Sequence, residues 1–218
     1  MTIPQIISLI ALGVCFILML MHFVRIVRLG KPKDLSVKSG NVAKGVAYSN
    51  TVAMSPTHKE SAYMHLPTYA AGIIYHLGSF LSILLFVLSL FDLNIWYYPE
   101  WLNVILALCL SVSALCGVLL LVKRLSSNEL RPLSNPDDYL ANFFTTLFHC
   151  TGVFFLLTGG INVTVEWIYY LSASALWIYM PFSKLKHVVY YFAARFHIGY
   201  FYGWRNVWPP QKEEQPMA

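Results

Sequence analysis

The stretch IPQIISLIALGVCFILMLMHFV, from Ile3 to Val24, contains no aspartate, glutamate, lysine or arginine. About 20 apolar residues suffice to cross the hydrocarbon core of a bilayer as one α-helix. Basic residues follow this run directly, beginning with Arg25. A secretory signal has the opposite order, with a basic start, a shorter apolar core and a small-residue cleavage site. The pattern therefore predicts a retained transmembrane helix.

Further apolar runs of comparable length occupy residues 66–91, 101–122, 139–160 and 163–182. Gly159 and Gly160 separate the last two runs and predict a tight turn there rather than one overlong helix. The sequence thus predicts an all-α membrane protein, a bundle of five transmembrane helices within residues 1–200. Residues 201–218 are predicted to form a cytoplasmic tail.

The composition agrees with this fold class, because 57% of the residues are hydrophobic and only 11% are charged. Soluble domains carry about 25% charged residues. The net charge of +5 could suggest nucleic-acid binding, but lysine and arginine collect in alternate loops and in the tail. Since such residues favour the cytoplasmic side, they predict an outside N-terminus and a cytoplasmic C-terminus.

Two cytoplasmic segments have further features. The first inner loop, Arg25 to His65, is either a disordered connector or a docking surface for a protein partner, and the sequence favours neither. The stretch Val188 to His197 is aromatic and basic, which favours a helix at the membrane interface.

Histidines inside apolar helices are costly and therefore indicate function. His65 and His76 are eleven residues apart, which is about three helical turns with roughly 20° of offset and about 16 Å of rise. Both imidazoles are thus predicted on one helix face at two depths. Imidazole is a common axial ligand of haem iron, so this spacing suits two stacked haems.

The predicted topology also suggests partners for these ligands. His187 lies at the depth of His65 near the inner surface, with His22 as a spare candidate. His149 lies at the depth of His76. The alternative for a single membrane histidine is a hydrogen bond between helices, and His58 and His197 are predicted to bind no metal.

The four cysteines argue against other redox cofactors within this chain. They show no CxxC pair, no CxxCH site and no zinc spacing. Covalent haem and iron–sulfur clusters both need a clustered ligand set. Any iron–sulfur cluster is therefore predicted to belong to a partner.

Two motifs carry a resemblance to a known family. The run Met180-Pro181-Phe182-Ser183-Lys184-Leu185-Lys186-His187 resembles the end of the last membrane helix in the nitrate reductase gamma-subunit family. The stretch LRPLSNPDDY, residues 130–139, resembles the segment that precedes helix four in that family. The five-helix plan and the histidines of helix two also agree, so the resemblance covers the whole chain.

This resemblance implies two haems b between helices two and five. His65 and His187 match the inner-haem ligands, and His76 matches the outer-haem ligand on helix two. The fourth ligand position holds Tyr169 and Tyr170 instead of histidine. The outer haem is therefore bound through another helix, with His149 favoured, or is five-coordinate, or is absent, so that one haem is expected and two remain an alternative.

The short chain and the stretches THKESA (57–62) and GIIYHLG (72–78) look more similar to the cytochrome b subunits of transmembrane redox complexes in sulfate-reducing bacteria, of the high-molecular-mass and tetrahaem cytochrome c types. That resemblance implies other membrane subunits, a cytoplasmic heterodisulfide-reductase-like iron–sulfur subunit, and an outer multihaem cytochrome c or menaquinone. The expected function is electron transfer across the membrane, with substrate chemistry left to a partner. The alternative is a non-redox membrane anchor or a small transporter subunit.

Overall fold

The computed structural model describes residues 1–93 and 99–210, and within these residues it contains helices and turns but no strand. The predicted all-helical fold class is therefore confirmed. The α-helices are α1 (Ile3–Arg28), α2 (Val42–Asn50), α3 (Glu60–Met64), α4 (Leu66–Leu90), α5 (Glu100–Ser126), α6 (Pro136–Leu157), α7 (Val163–Tyr179) and α8 (His187–Trp204). The end of the predicted tail, residues 211–218, lies outside the described residues.

Among the described helices, α1, α4, α5 and α6 are long and apolar enough to cross a membrane. The fifth predicted span forms α7, whose α-helical part has 17 residues and continues into a 3₁₀ turn at Met180–Phe182. Pro181 lies within that turn, and proline cannot donate the backbone hydrogen bond of an ordinary helix. The chain is thus a helical protein of multi-pass membrane character, while its fifth crossing and its orientation remain predictions.

Local sequence explains where α6 ends and α7 begins. Gly159 and Gly160 have φ angles of +59° and +68°, a left-handed conformation that glycine adopts without strain. Asn162 then caps α7, because its side chain accepts hydrogen bonds from the backbone N–H groups of Thr164 and Val165. The predicted tight hairpin is therefore confirmed.

The start of α6 lies earlier than the apolar pattern indicates. Asn135 and Asp138 form a reciprocal capping box, and Pro136 occupies the first turn. Such a box satisfies backbone donors that a helix start leaves without partners. The helix consequently begins before the predicted position Tyr139.

The chain divides into two compact units, of which the first comprises residues 1–18 and 66–186. Its core contains Leu85 from α4, Ala107 and Leu110 from α5, and Leu156 from α6. The packing of α4, α5, α6 and α7 against one another positions the buried polar groups described below.

Polar contacts mark the two ends of this first unit. At one end Gln5 donates a hydrogen bond to Asp92 (3.0 Å), and so the start of α1 meets the end of α4. At the other end Asp138 accepts a hydrogen bond from Lys184 at 2.7 Å and forms an ion pair with Arg124 at 3.5 Å. The cations of Lys184 and Arg124 thus share one carboxylate.

The second unit comprises residues 19–65 and 187–218, and its main feature is the packing of α2 on α8. Three glycines, Gly45, Gly199 and Gly203, form a seam at this contact. A Cβ atom on Gly45 would lie 2.5 Å from the Gly199 oxygen, and one on Gly199 would lie 2.6 Å from the Val46 Cα. The middle of the first inner loop is therefore a packed helix, while its role as a docking surface remains a prediction.

Hydrogen bonds reinforce the contact between α2 and α8. Ser49 donates to the Arg195 carbonyl (2.8 Å), and the Trp204 indole donates to the Ser36 carbonyl (2.9 Å). Asp34 accepts from the Ser36 backbone and pairs with Arg205 at 3.1 Å. The Ser36 hydrogen bonds and the Arg205 cation lower the pKa of Asp34 below its ordinary value. Thus α2 is bonded to the middle of α8, and the segment before α2 is bonded to the C-terminal end of α8 and the residue after it.

Candidate functional site

His76 lies in the N-terminal half of α4, on an exposed stripe that also contains Ile73, Leu77 and Phe80. Its Nδ1 atom is 2.7 Å from the carbonyl oxygen of Gly72, one helical turn earlier. A carbonyl only accepts, so Nδ1 carries the proton and Nε2 carries the lone pair of the ring. Metal-binding histidines are commonly oriented by this kind of hydrogen bond.

The surroundings of Gly72 are open. A Cβ atom placed on this residue would meet no heavy atom of the described chain within 4 Å. Gly72 and His76 lie one turn apart on the same face of α4, and the side chain of His76 is exposed. A flat ligand could approach that face closely.

His149, in contrast, is completely buried, with an exposed fraction of 0%. Its Nε2 atom lies 3.2 Å from the Ser79 hydroxyl of α4, and its Nδ1 atom lies 3.3 Å from the Ser113 hydroxyl of α5. Ser79 donates its own hydrogen to the Tyr75 carbonyl (2.8 Å) and therefore accepts from Nε2. The Ser113 hydroxyl lies 3.3 Å from both Nδ1 and the Tyr75 carbonyl, so these two acceptors share its single hydrogen. The ring thus joins three helices.

Close helix contact makes this arrangement possible. A Cβ atom on Gly78 would overlap the Ser113 hydroxyl, so α5 can approach α4 only where this side chain is missing. The Tyr75 ring packs edge-on against the imidazole of His149, with 5.2 Å between centroids. Glycine and serine at helix contacts are typical of membrane bundles.

The two histidines of the predicted outer pair lie at one level but on different faces. Tyr75 and Ser79 flank His76 along α4, and both contact His149. His149 packs against the buried face of α4, whereas His76 lies on its exposed stripe. The structure therefore does not bring these imidazoles together, and coordination by His149 would replace one of its serine hydrogen bonds.

The histidines of the predicted inner pair belong to the second unit. His65 lies in the turn between α3 and α4, His187 is the first residue of α8, and both are exposed. The spare candidate His22 contacts α8 one turn beyond His187, because its Nδ1 lies 2.9 Å from the Tyr190 hydroxyl. Pairing of His65 with His187 stays a prediction.

The level at which the resembling family has its fourth ligand is filled by aromatic rings. Tyr169 stacks on Phe155 with 4.3 Å between centroids, and Phe86 packs against Tyr170 and Trp177 at 6.0 and 5.5 Å. A haem between α4 and α7 at this level would have to displace these rings.

Two features were missed in the sequence, although each has a signal there. Gly199 and Gly203 form a G-x-x-x-G pattern, which permits close helix packing. Ser79 and Ser113 lie in apolar runs, where a hydroxyl is expected to find a partner, but the sequence does not show that this partner is His149.

Within residues 1–93 and 99–210, no three His, Cys, Asp or Glu side chains cluster as a metal site would require. The chain matches no protein-family model, no curated protein and no solved structure. Function is therefore argued from the histidines themselves. A haem iron needs only two axial side chains, which is a different ligand set from such a cluster.

Proposed function

We propose that this chain is the haem b-carrying membrane subunit of a respiratory redox complex in a bacterial inner membrane. Electrons would pass between an outer cytochrome c or quinol and a cytoplasmic iron–sulfur subunit. The structural observation that supports a haem ligand on α4 is the hydrogen bond from His76 Nδ1 to the Gly72 carbonyl, at 2.7 Å. It gives a membrane helix that has no charged residue an imidazole whose Nε2 lone pair suits iron.

The chemistry of that donor fits haem better than it fits a simple structural role. A histidine in a membrane segment is expensive and usually serves a site. The stripe around it is apolar, as a macrocycle requires, and Gly72 leaves space one turn away. Bound haem would supply one-electron chemistry, while the chain supplies axial ligands and a water-poor path.

The ligands are assigned as follows. His65 and His187 hold the inner haem, as the family resemblance implies, with His22 as the substitute nearest to the start of α8. His76 is the ligand of any second haem. Because aromatic rings occupy the level of Tyr169, one haem is favoured over two unless His149 or a partner chain completes the second site.

One observation favours the non-redox alternative of an anchor or transporter subunit. Both ring nitrogens of His149 are hydrogen-bonded to serine hydroxyls. That is the pattern of a histidine that fastens helices together. This observation supports a structural role for His149 only and says nothing about the role of the other histidines.

A reduced-minus-oxidised visible spectrum of the purified chain, expressed with ample haem, tests the proposal. A b-type α-band is expected, and its intensity should fall in His187→Ala. His58→Ala is the matched control, because His58 is exposed outside the long apolar helices and should leave the band unchanged. Fully haem-supplied protein without an α-band would refute the redox function.

The proposal also includes a cytoplasmic iron–sulfur partner that docks on the basic segments. Crosslinks from the mildly solubilised complex should concentrate on Lys44, Lys59 and Lys123. A complex that contains no cytoplasmic subunit would refute this part alone.

A further inference from the structure

A cleft of about 300 Å³ lies between the first turn of α5 and the end of α6. It belongs to the end of the first unit at which Gln5 meets Asp92. Its polar lining comes from Glu100, Asn103 and Thr158, and its apolar lining from Val104, Leu156 and Leu157. Because the helix ends of a membrane bundle lie near the bilayer surface, this cleft lies at the level of lipid headgroups.

The most informative residue of the cleft is Asn103. Its side chain is only 8% exposed, and its Oδ1 atom is buried without a hydrogen-bond partner among residues 1–93 and 99–210. A buried acceptor without a donor is costly. A ligand that donates a hydrogen bond to Asn103 Oδ1 would remove this cost.

Two other side chains of the cleft are acceptors as well. The Thr158 hydroxyl uses its hydrogen within α6, since it donates to the carbonyls of Phe154 and Phe155 at 2.9 and 3.2 Å. The Thr158 oxygen can therefore only accept a further hydrogen bond. The exposed carboxylate of Glu100 adds a negative charge. A matching ligand thus carries several N–H donors and a positive charge.

The apolar side chains that line the cleft indicate the apolar part of that ligand. Val104 is 43% exposed and Leu157 is 57% exposed, and both belong to helices that qualify as membrane spans. An acyl chain is the apolar group that such a surface meets in a bilayer.

We propose that this cleft binds the primary ammonium group of an aminophospholipid, phosphatidylethanolamine, with the acyl chains along Val104 and Leu157. The three N–H donors of the ammonium match Asn103 Oδ1, the Glu100 carboxylate and Thr158 Oγ1. Phosphatidylcholine carries the same net charge and chains but has no N–H donor. It therefore leaves Asn103 without a partner and binds more weakly.

The test uses the full chain, purified as its complex, in nanodiscs that contain equal amounts of phosphatidylethanolamine and phosphatidylcholine with identical acyl chains. Native mass spectrometry counts the retained lipids. Phosphatidylethanolamine is expected to be enriched about tenfold or more, as hydrogen bonds to charged groups imply. Stepwise N-methylation of the headgroup should reduce that enrichment with each lost donor.

Two variants and a control connect the enrichment to the cleft. Asn103→Leu removes the buried acceptor and Glu100→Gln removes the charge, so each should bring the ratio close to one. Glu166→Gln is the matched control, because Glu166 is an acidic residue of the first turn of α7 outside the cleft lining. It should retain the wild-type ratio. If Asn103→Leu does not fold, Glu100→Gln decides the question, since its side chain is exposed.

Equal binding of the two lipids by the wild type would overturn the proposal, and so would an enrichment that survives in both variants. Displacement of the bound lipid by a short-chain hydroquinone would assign the cleft to a phenolic ligand and would also overturn it. The lipid ratio does not depend on haem, so this result stands apart from the redox proposal.

Discussion

Replacing Gly45 by alanine should open the contact between α2 and α8. The added Cβ atom would lie 2.5 Å from the Gly199 oxygen and 2.8 Å from the Gly203 nitrogen, whereas non-bonded heavy atoms rest about 3.5 Å apart. Both neighbours are backbone atoms, so no rotamer change relieves the overlap. The helices must separate by about 1 Å.

That separation has a cost that can be worked out. It would lengthen the Ser49–Arg195 bond, now 2.8 Å, and the bonds from Ser39 and Gly40 to the Trp204 carbonyl, now 3.0 and 2.9 Å. At about 1 kcal/mol each the loss is about 3 kcal/mol. Alanine regains about 1 kcal/mol of helix propensity. The net destabilisation is about 2 kcal/mol, or about 30-fold in the opening equilibrium.

Trypsin cleavage after Lys44 provides the assay, because this lysine lies within α2 and is cut only when the helix opens. When reclosing is fast, the cleavage rate follows the open population, so a rise of about 30-fold is expected. Gly13→Ala is the control, since a Cβ atom there meets nothing within 4 Å. Cleavage of Gly45→Ala at the wild-type rate would refute the glycine seam.

Three further outcomes are expected. His65→Ala and His187→Ala should each remove the same haem, and full low-spin content in either would reject the pair. His149→Ala should destabilise the bundle by about 2–5 kcal/mol. Conversion of one haem to high spin in the electron paramagnetic resonance spectrum of this variant would establish that His149 binds haem iron, and an unchanged spectrum would reject it. Because the pKa of Asp34 is lowered on folding, this carboxylate stabilises the fold above about pH 4, and the stabilisation is lost as the pH falls further. Asp34→Asn should therefore reduce the change in melting temperature between about pH 5 and pH 3. A melting temperature that depends on pH as it does in the wild type would contradict this.

The long helices could be predicted because each depends on a local property, an unbroken run of apolar residues. The bounds of α4 follow the apolar pattern almost residue by residue, whereas α6 starts early because the capping box of Asn135 and Asp138 overrides hydropathy. The turn at Gly159 was predictable for a similar reason, since two adjacent glycines between apolar runs favour a turn.

The environment of each histidine was less predictable, because depth follows from residue counting but the helix face does not. Residue counting predicts His149 at the level of His76. The structure agrees, because Tyr75 and Ser79 flank His76 along α4 and both contact His149. Which imidazole faces the core depends on how α4 is rotated against α5 and α6. That rotation depends on small residues such as Gly78, whose effect appears only once the helices are packed.

The first helix has a consequence for how the chain is made. Ser8 donates to the carbonyl of Tyr170 at 2.6 Å, a partner 162 residues later. At about 5–20 residues per second, α1 enters the bilayer roughly 10–30 s before the ribosome delivers that carbonyl. During this wait the Ser8 hydroxyl can bond within its own helix, as serine does elsewhere. Helix α1 thus obtains this hydrogen bond only after α7 has been synthesised, and a translation product that stops before α7 would lack it.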